Sequence, residues 1–131
     1  MLRARKGGRR GGQASLSRAN LQGANLSRAN LQGANLGGAD LTDANLTDAN
    51  LTGANLTDAN LTDANLSDAD LSDANITTAD LTRANLRGAN LTGTNVTQEQ
   101  LDSACISKGG NPPALPKGLK PPQKECGPWI R

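Results

Sequence analysis

Nine aspartates are the residues best placed to do chemistry: Asp40, Asp43, Asp48, Asp58, Asp63, Asp68, Asp70, Asp73 and Asp80 lie between Ala29 and Thr82, a stretch with no Lys or Arg. Carboxylates massed in this way can face a basic partner, attract cations or imitate a polyanion. On both sides the sign reverses. Arg3, Arg5, Lys6, Arg9 and Arg10 precede the run and Lys108, Lys117, Lys120 and Lys124 follow it, so a net charge of +2 conceals a basic arm, an acidic waist and a basic tail. Clustered cations among glycines suit nucleic acid or an acidic membrane through counterion release, although an unstructured leader is the simpler reading of the arm.

Other reactive groups are scarce. The chain has no His, which excludes the usual zinc sets and Cys–His nucleophile pairs. Cys105 and Cys126 permit one intramolecular disulfide. The charged start shows no secretory leader, and no stretch of about 18 apolar residues suggests a membrane span. A cytoplasmic protein is therefore expected, and in a reducing compartment two free thiols are the simpler reading. No Gly-rich phosphate loop follows a strand pattern, and no carboxylate pair stands apart from the rest. The chain reads as a non-enzyme with no catalytic residue, cofactor, metal or small-molecule substrate.

The elements that must carry these side chains are set by one repeated phrase, Ala-(Asn/Asp)-Leu-x-x, in which Leu21, Leu26, Leu31 and each fifth residue to Leu91 keep register, with Ile76 the one substitute. A helix repeats its apolar positions every 3.6 residues and a strand every two, so a period of five fits neither alone. It fits a short extended piece and a corner. Hexapeptide β-helices, leucine-rich repeats and calcium-binding nonapeptide coils have other periods or motifs. Phe, Tyr and His are absent and Trp129 is the sole aromatic residue, so Leu and Ala must build the interior. Units this small gain a core only by stacking.

The phrase over residues 14–98 resembles the pentapeptide-repeat family. That resemblance implies an all-β fold, a right-handed quadrilateral β-helix with four pentapeptides to a square coil. It implies about four coils, on the order of 20 Å tall at the ~4.8 Å strand spacing. Residues twenty apart should then stack into core columns: Leu21, Leu41, Leu61 and Leu81 in one, Leu36, Leu56, Ile76 and Val96 in another. Gly23, Gly33, Gly38, Gly53, Gly88 and Gly93 fall where a type II corner needs positive φ. Asn25, Asn45, Asn65 and Asn85 are expected to form a hydrogen-bonded side-chain ladder. Asp43 should lie under Asp63 and Asp48 under Asp68, each pair repelling by about 1 kcal/mol in water.

The phrase loosens after Thr94, and Thr97-Gln98-Glu99-Gln100 has the form of a capping box. A short helix is predicted near 98–107, lying across the open end with Leu101, Ala104 and Cys105 as its apolar side. Beyond it, the run from Asn111 to Pro122 reads as an extended Pro-rich tail with Leu115 and Leu119 packed along the outside of the stack. Three parts follow: a flexible arm at 1–13, the solenoid at 14–98, and a cap helix with tail at 99–131.

Function is less legible than fold. A non-catalytic structural or protein-binding module with an unidentified protein partner is the first reading. Its candidate partner surface is Asp43, Asp48, Asp58, Asp63, Asp68 and Asp73. The resemblance supplies an alternative, since some family members are DNA mimics that occupy the DNA site of gyrase. A mimic needs a long one-sided acidic track, whereas this waist is short and wraps the faces. The gyrase-directed members also favour Phe at central positions, and this chain has none. Direct nucleic-acid binding is expected only through the arm. Thr42, Thr62 and Thr82 and likewise Thr57, Thr77 and Thr97 would form hydroxyl columns of the kind an ice-binding solenoid shows, but adjacent aspartates interrupt that surface. Asn-Leu-Thr recurs as a glycosylation sequon at Asn45, Asn50, Asn55 and Asn60, a by-product of repetition.

Overall fold

The computed structural model describes residues 15–127; the basic arm at 1–13 and Trp129 lie outside them. From Ser15 to Asp70, each Asn, Asp or Ser that precedes a Leu or Ile pairs in parallel with the residue twenty further on, as in Asn25 with Asn45 and Asn45 with Asn65. Each turn of the chain therefore takes twenty residues, with a corner at every fifth.

One repeat shows why this sequence closes so well. In Asn45-Leu46-Thr47-Asp48-Ala49 all five backbone N–H groups find acceptors. Asn45 donates to the Ala24 carbonyl at 2.9 Å, Leu46 to Asn65 at 2.8 Å, and Asp48 to Ser67 at 3.0 Å. Ala49 donates to Leu46 across the corner at 3.0 Å. The fifth, Thr47 N–H, is taken by the side-chain Oδ1 of Asn45 at 3.0 Å. Asn or Asp before each Leu thus replaces a backbone acceptor that the square geometry does not offer, as in an Asx-turn.

This local bond corrects the expected ladder. Asn25, Asn45, Asn65 and Asn85 aim Oδ1 at the N–H two residues on rather than up the stack. Among the described residues the rungs of side-chain amides join Asn55 to Asn35 and Asn95 to Asn75.

The interior is built mainly of Leu and Ala. Leu41, Leu61, Leu81, Leu36, Leu56, Ile76 and Val96 are buried, whereas Leu21 is only partly so because it lies in the first described coil, with no described coil beneath it. Full burial contributes roughly 2 kcal/mol per Leu before chain entropy is counted. Corners need positive φ at the second residue after Leu, and here the glycine expectation was too narrow. Asp43, Asp48, Asp58, Asp63, Asp68 and Asp73 adopt φ of 59 to 62°, and Arg18, Arg28, Thr78 and Arg83 adopt 54 to 61°. Asp tolerates this left-handed region better than most residues, and β-branched Thr78 is the least suited.

The one helix among the described residues, α1, spans Gln98–Ser103 and is shorter than expected. Thr97 caps it, with the reciprocal Thr97–Gln100 bonds of a capping box. Gln100 Nε2 also donates to the Ile76 and Ala79 carbonyls, standing in for a missing strand. Leu101 is buried above Leu81, so α1 fills the position of the next strand on that face. It stops because Ala104 is already extended, at φ −88° and ψ −178°, and Cys105 rejoins the ladder opposite Asn85.

The tail differs from expectation in the same way. Ala114 pairs with Asn90, and Leu115 and Leu119 pack against the core rather than along the outside. Glu125 pairs with Ile106, which brings Cys126 beside Cys105; the two are joined in a disulfide with Cα atoms 4.9 Å apart. The simpler reading of two free thiols therefore gives way.

Candidate functional site

With Leu and Ala inward and Asx residues bonded to their own strands, the two positions after each central Leu carry the variable outward side chains, the second of them at the corner. Stacking sorts the candidate acids into columns. Asp43 and Asp63 share one corner with Arg83 above them, and Asp48 and Asp68 share the next with Gly88. Asp58 lies on a third and Asp73 on a fourth. The structure thus gathers the six as two vertical pairs and two single residues, with no face holding them all.

Each vertical pair meets an arginine at its C-terminal end. Arg83 reaches Asp63 with two prongs, Nε to Oδ1 at 2.7 Å and Nη2 to Oδ2 at 3.1 Å. Planar bidentate geometry of this kind is the stronger form of the pair. The hydrogen bond and charge of Asp63 raise the affinity of Arg83 for its proton, with smaller help from Asp80 and Asp43. Arg87 Nη1 lies 3.2 Å from Asp68 Oδ2. On the other corners Thr78 Oγ1 donates to Asp58 Oδ1, and the Asp73 carboxylate leans over Gly93 into the space a side chain there would need. Asp68 does the same over Gly88.

Three further aspartates, Asp40, Asp70 and Asp80, occupy the Asx position before Leu. Their carboxyls are held below the ordinary range. The first cause is the hydroxyl two residues on (Thr42, Ser72 and Thr82 respectively), and the second is the backbone N–H of the same residue. Partial burial opposes the shift. The hydroxyl columns are engaged in the same way. Thr42, Thr62, Thr82, Thr57 and Thr77 donate to the Asx oxygen of their own strand, which leaves their hydroxyl protons committed within the fold.

Sequence reasoning missed one feature. Between the strands that lead to the Asp68–Gly88 corner and the tail lies a cavity of about 300 Å³, lined by Asn65, Ser67, Asn85, Arg87, Ser107, Cys126 and Gly127. Arg87 was the available signal: it is the one charged side chain directly after a central Leu in the repeats. Among the described residues no group of His, Cys, Asp and Glu converges as a metal site would require. No helix there is long and apolar enough to cross a membrane.

The pentapeptide-repeats family model matches in eight copies, over residues 12–48, 39–77 and 59–98. The chain belongs to the pentapeptide-repeat family. Proteins of this family fold as right-handed quadrilateral β-helices, the form that the twenty-residue pairing builds here. A pentapeptide repeat protein from the Arabidopsis thaliana thylakoid lumen is similar at 34% identity and TM-score 0.60, over 73% of this chain and 66% of that one. Rfr23 from the cyanobacterium Cyanothece 51142 is 40% identical with TM-score 0.43, over 63% of this chain and 58% of its own. QnrB1, a plasmid-mediated fluoroquinolone resistance protein, is 18% identical with TM-score 0.40, over 88% and 66%. This chain therefore spans just under two thirds of the lumenal protein's length. No curated protein matches it significantly.

Proposed function

We propose that this pentapeptide-repeat protein is a non-catalytic structural or protein–protein interaction module, a stack of about four coils that a protein partner reads at its corners. The observation that carries the reading is the complete use of the Ala, Asx and Leu positions by the ladder, which leaves the two positions after each Leu, the corner among them, as the variable outward surface. Asp43, Asp48, Asp58, Asp63, Asp68 and Asp73 are the residues we assign to that surface. Residues 14–98 form the module in this reading, 1–13 a basic arm, and 99–131 the cap and tail. Affinity capture on the full chain, followed by mass spectrometry, tests it: a partner retained by the wild type and lost when Asp43, Asp63, Asp48 and Asp68 become Asn supports the corner surface.

The second reading, a DNA mimic, rests on the cation-free run between Ala29 and Thr82. Against it, Arg83 and Arg87 neutralise both vertical acidic pairs at one end, and the remaining acids are spread over separate corners. Supercoiling by DNA gyrase separates the two. Inhibition at micromolar protein that is lost in the same Asp-to-Asn variant would replace our reading; unimpeded supercoiling removes the mimic.

The expected cytoplasmic setting and the bonded Cys105–Cys126 pair make opposite demands, because reducing compartments keep thiols reduced. We place the working protein where the bond persists. Alkylation of the denatured protein as it is isolated from its source, with the adducts counted by mass spectrometry, checks this, and two alkylated cysteines would restore the cytoplasmic assignment.

A further inference from the structure

We propose that the cavity between the last repeats and the tail binds a small oxyanion. Asn65 Oδ1 is occupied by the Ser67 N–H and hydroxyl, at 3.0 and 2.6 Å. Asn85 Oδ1 takes the N–H groups of Arg87 and Ser107, at 3.1 and 3.2 Å. Two N–H donors on one oxygen fix which way the Asn85 amide faces, so its Nδ2 must point elsewhere. Asn85 is only 3% exposed. Among the described residues no enclosed side-chain nitrogen or oxygen lacks a partner, and Asn85 Nδ2 has no acceptor there. The amide nitrogen is therefore open to the cavity that Asn85 lines.

The rest of the lining completes a set of donors. The Asn65 amide, the Ser107 hydroxyl and the Arg87 guanidinium join Asn85, and no carboxylate is among the lining residues. Asp68 holds Arg87 through Nη1 alone, which leaves the other guanidinium N–H groups for a ligand. The tail is shaped to Arg87. Any side chain at Gly110 would come within 2.5 Å of Arg87 Cγ and Cδ, so glycine is required there for space rather than for φ. The disulfide supplies a further wall through Cys126. A pocket whose two Asn side-chain oxygens are committed within the fold and which gathers amide, hydroxyl and guanidinium donors around one cation suits an acceptor-only ligand of negative charge.

The test is a titration of the full-length ¹⁵N-labelled protein with inorganic phosphate and, separately, acetate, at constant ionic strength, read by NMR. Saturable shifts of the Asn85 and Asn65 side-chain amides and of Arg87 Nε in the millimolar range or tighter are expected for at least one anion, and which anion saturates tells tetrahedral from planar recognition. Asn85→Asp keeps the oxygen that Arg87 and Ser107 need but replaces the donor with a charge; it should weaken binding by at least tenfold, as about 1.5–3 kcal/mol per charge-assisted bond implies. Arg87→Gln provides the same readout should Asn85→Asp perturb the fold. Absence of saturation by both anions, or equal binding by wild type and a folded variant, overturns the proposal. Partner capture through the corners is independent of either result.

Discussion

Replacing Asn45 by Ala isolates the bond on which each repeat closes. Asn45 is exposed and lies in mid-stack, so truncation removes almost no apolar burial and leaves neighbouring coils intact. Its Oδ1 accepts from Thr47 N–H at 3.0 Å and from Thr47 Oγ1 at 2.7 Å. The hydroxyl can turn to water, so its loss costs little. The amide is held by the ladder in one direction on a half-buried strand, and an incompletely hydrated N–H costs about 1–3 kcal/mol. Because water reaches this surface in part, the lower half of that range applies, about 1–2 kcal/mol, or roughly 3–8 °C in Tm for a domain of this size. Asn45→Asp keeps an acceptor in the same place, as Asp40, Asp70 and Asp80 do in their own repeats, and should cost less than about 0.5 kcal/mol. Urea unfolding followed by circular dichroism measures both, with the slope unchanged. If Ala and Asp cost the same, or Ala costs nothing, the fifth N–H does not depend on Asn, and the account of why Asx precedes every Leu fails.

Three other perturbations follow from the same geometry. Leu61→Ala should cost about 3–5 kcal/mol because rigid coils above and below cannot collapse into the void, while Leu21→Ala, only partly buried, should cost less than half as much by the same urea titration. Thr78→Asn should raise stability by about 0.5–1 kcal/mol, since Asn tolerates φ near 55° where a β-branched residue does not and still offers a donor to Asp58; a lower Tm would contradict it. Asp40, Asp70 and Asp80 have folded-state pKa values below the ordinary ~3.9, so their stabilisation is present above that value and is lost as pH falls through it towards the lower folded values. The triple Asp-to-Asn variant should accordingly lose less stability than wild type between about pH 5 and 2, and parallel acid limbs in thermal melts would show that these three groups do not contribute.

Legibility tracked how local each interaction is. The Leu columns, the capping box at Thr97 and the twenty-residue register were readable because periodicity states them directly. Asn45 and its equivalents were read as a ladder, since stacking was the visible relation, whereas the bond that forms is to the amide two residues away. The period puts the acidic pairs in columns, but it does not connect Arg83 and Arg87, just beyond the run, to them. The expected helix outruns the observed one because the apolar spacing of Leu101, Ala104 and Cys105 is helical. Ladder positions opposite Asn85 compete for the last two and prevail. The cavity was invisible because it depends on where an irregular tail returns, which no period encodes.

The acidity of the waist has a backbone cause that any functional reading must first subtract. Corners need φ near 60°, and apart from glycine and Asn, Asp is the residue that meets this at least cost. Six corner aspartates are therefore what a short-side-chain rule would choose with no partner in view, and by themselves they say little about binding. The informative corners are those where the side chain is poorly suited to its conformation. At Arg83 the residue adopts φ 54° and forms a two-pronged bond to Asp63. Arg83→Asn would relieve the corner and uncover the Asp43–Asp63 pair, two effects of opposite sign that should largely cancel in stability, because ion pairs at the surface are screened by solvent. A surface read by a basic partner should then capture it more tightly, and one read through the arginine should release it. If affinity capture returns the same proteins in the same amounts from wild type, Arg83→Asn and Asp63→Asn, the corners are scaffold and the partner surface lies elsewhere.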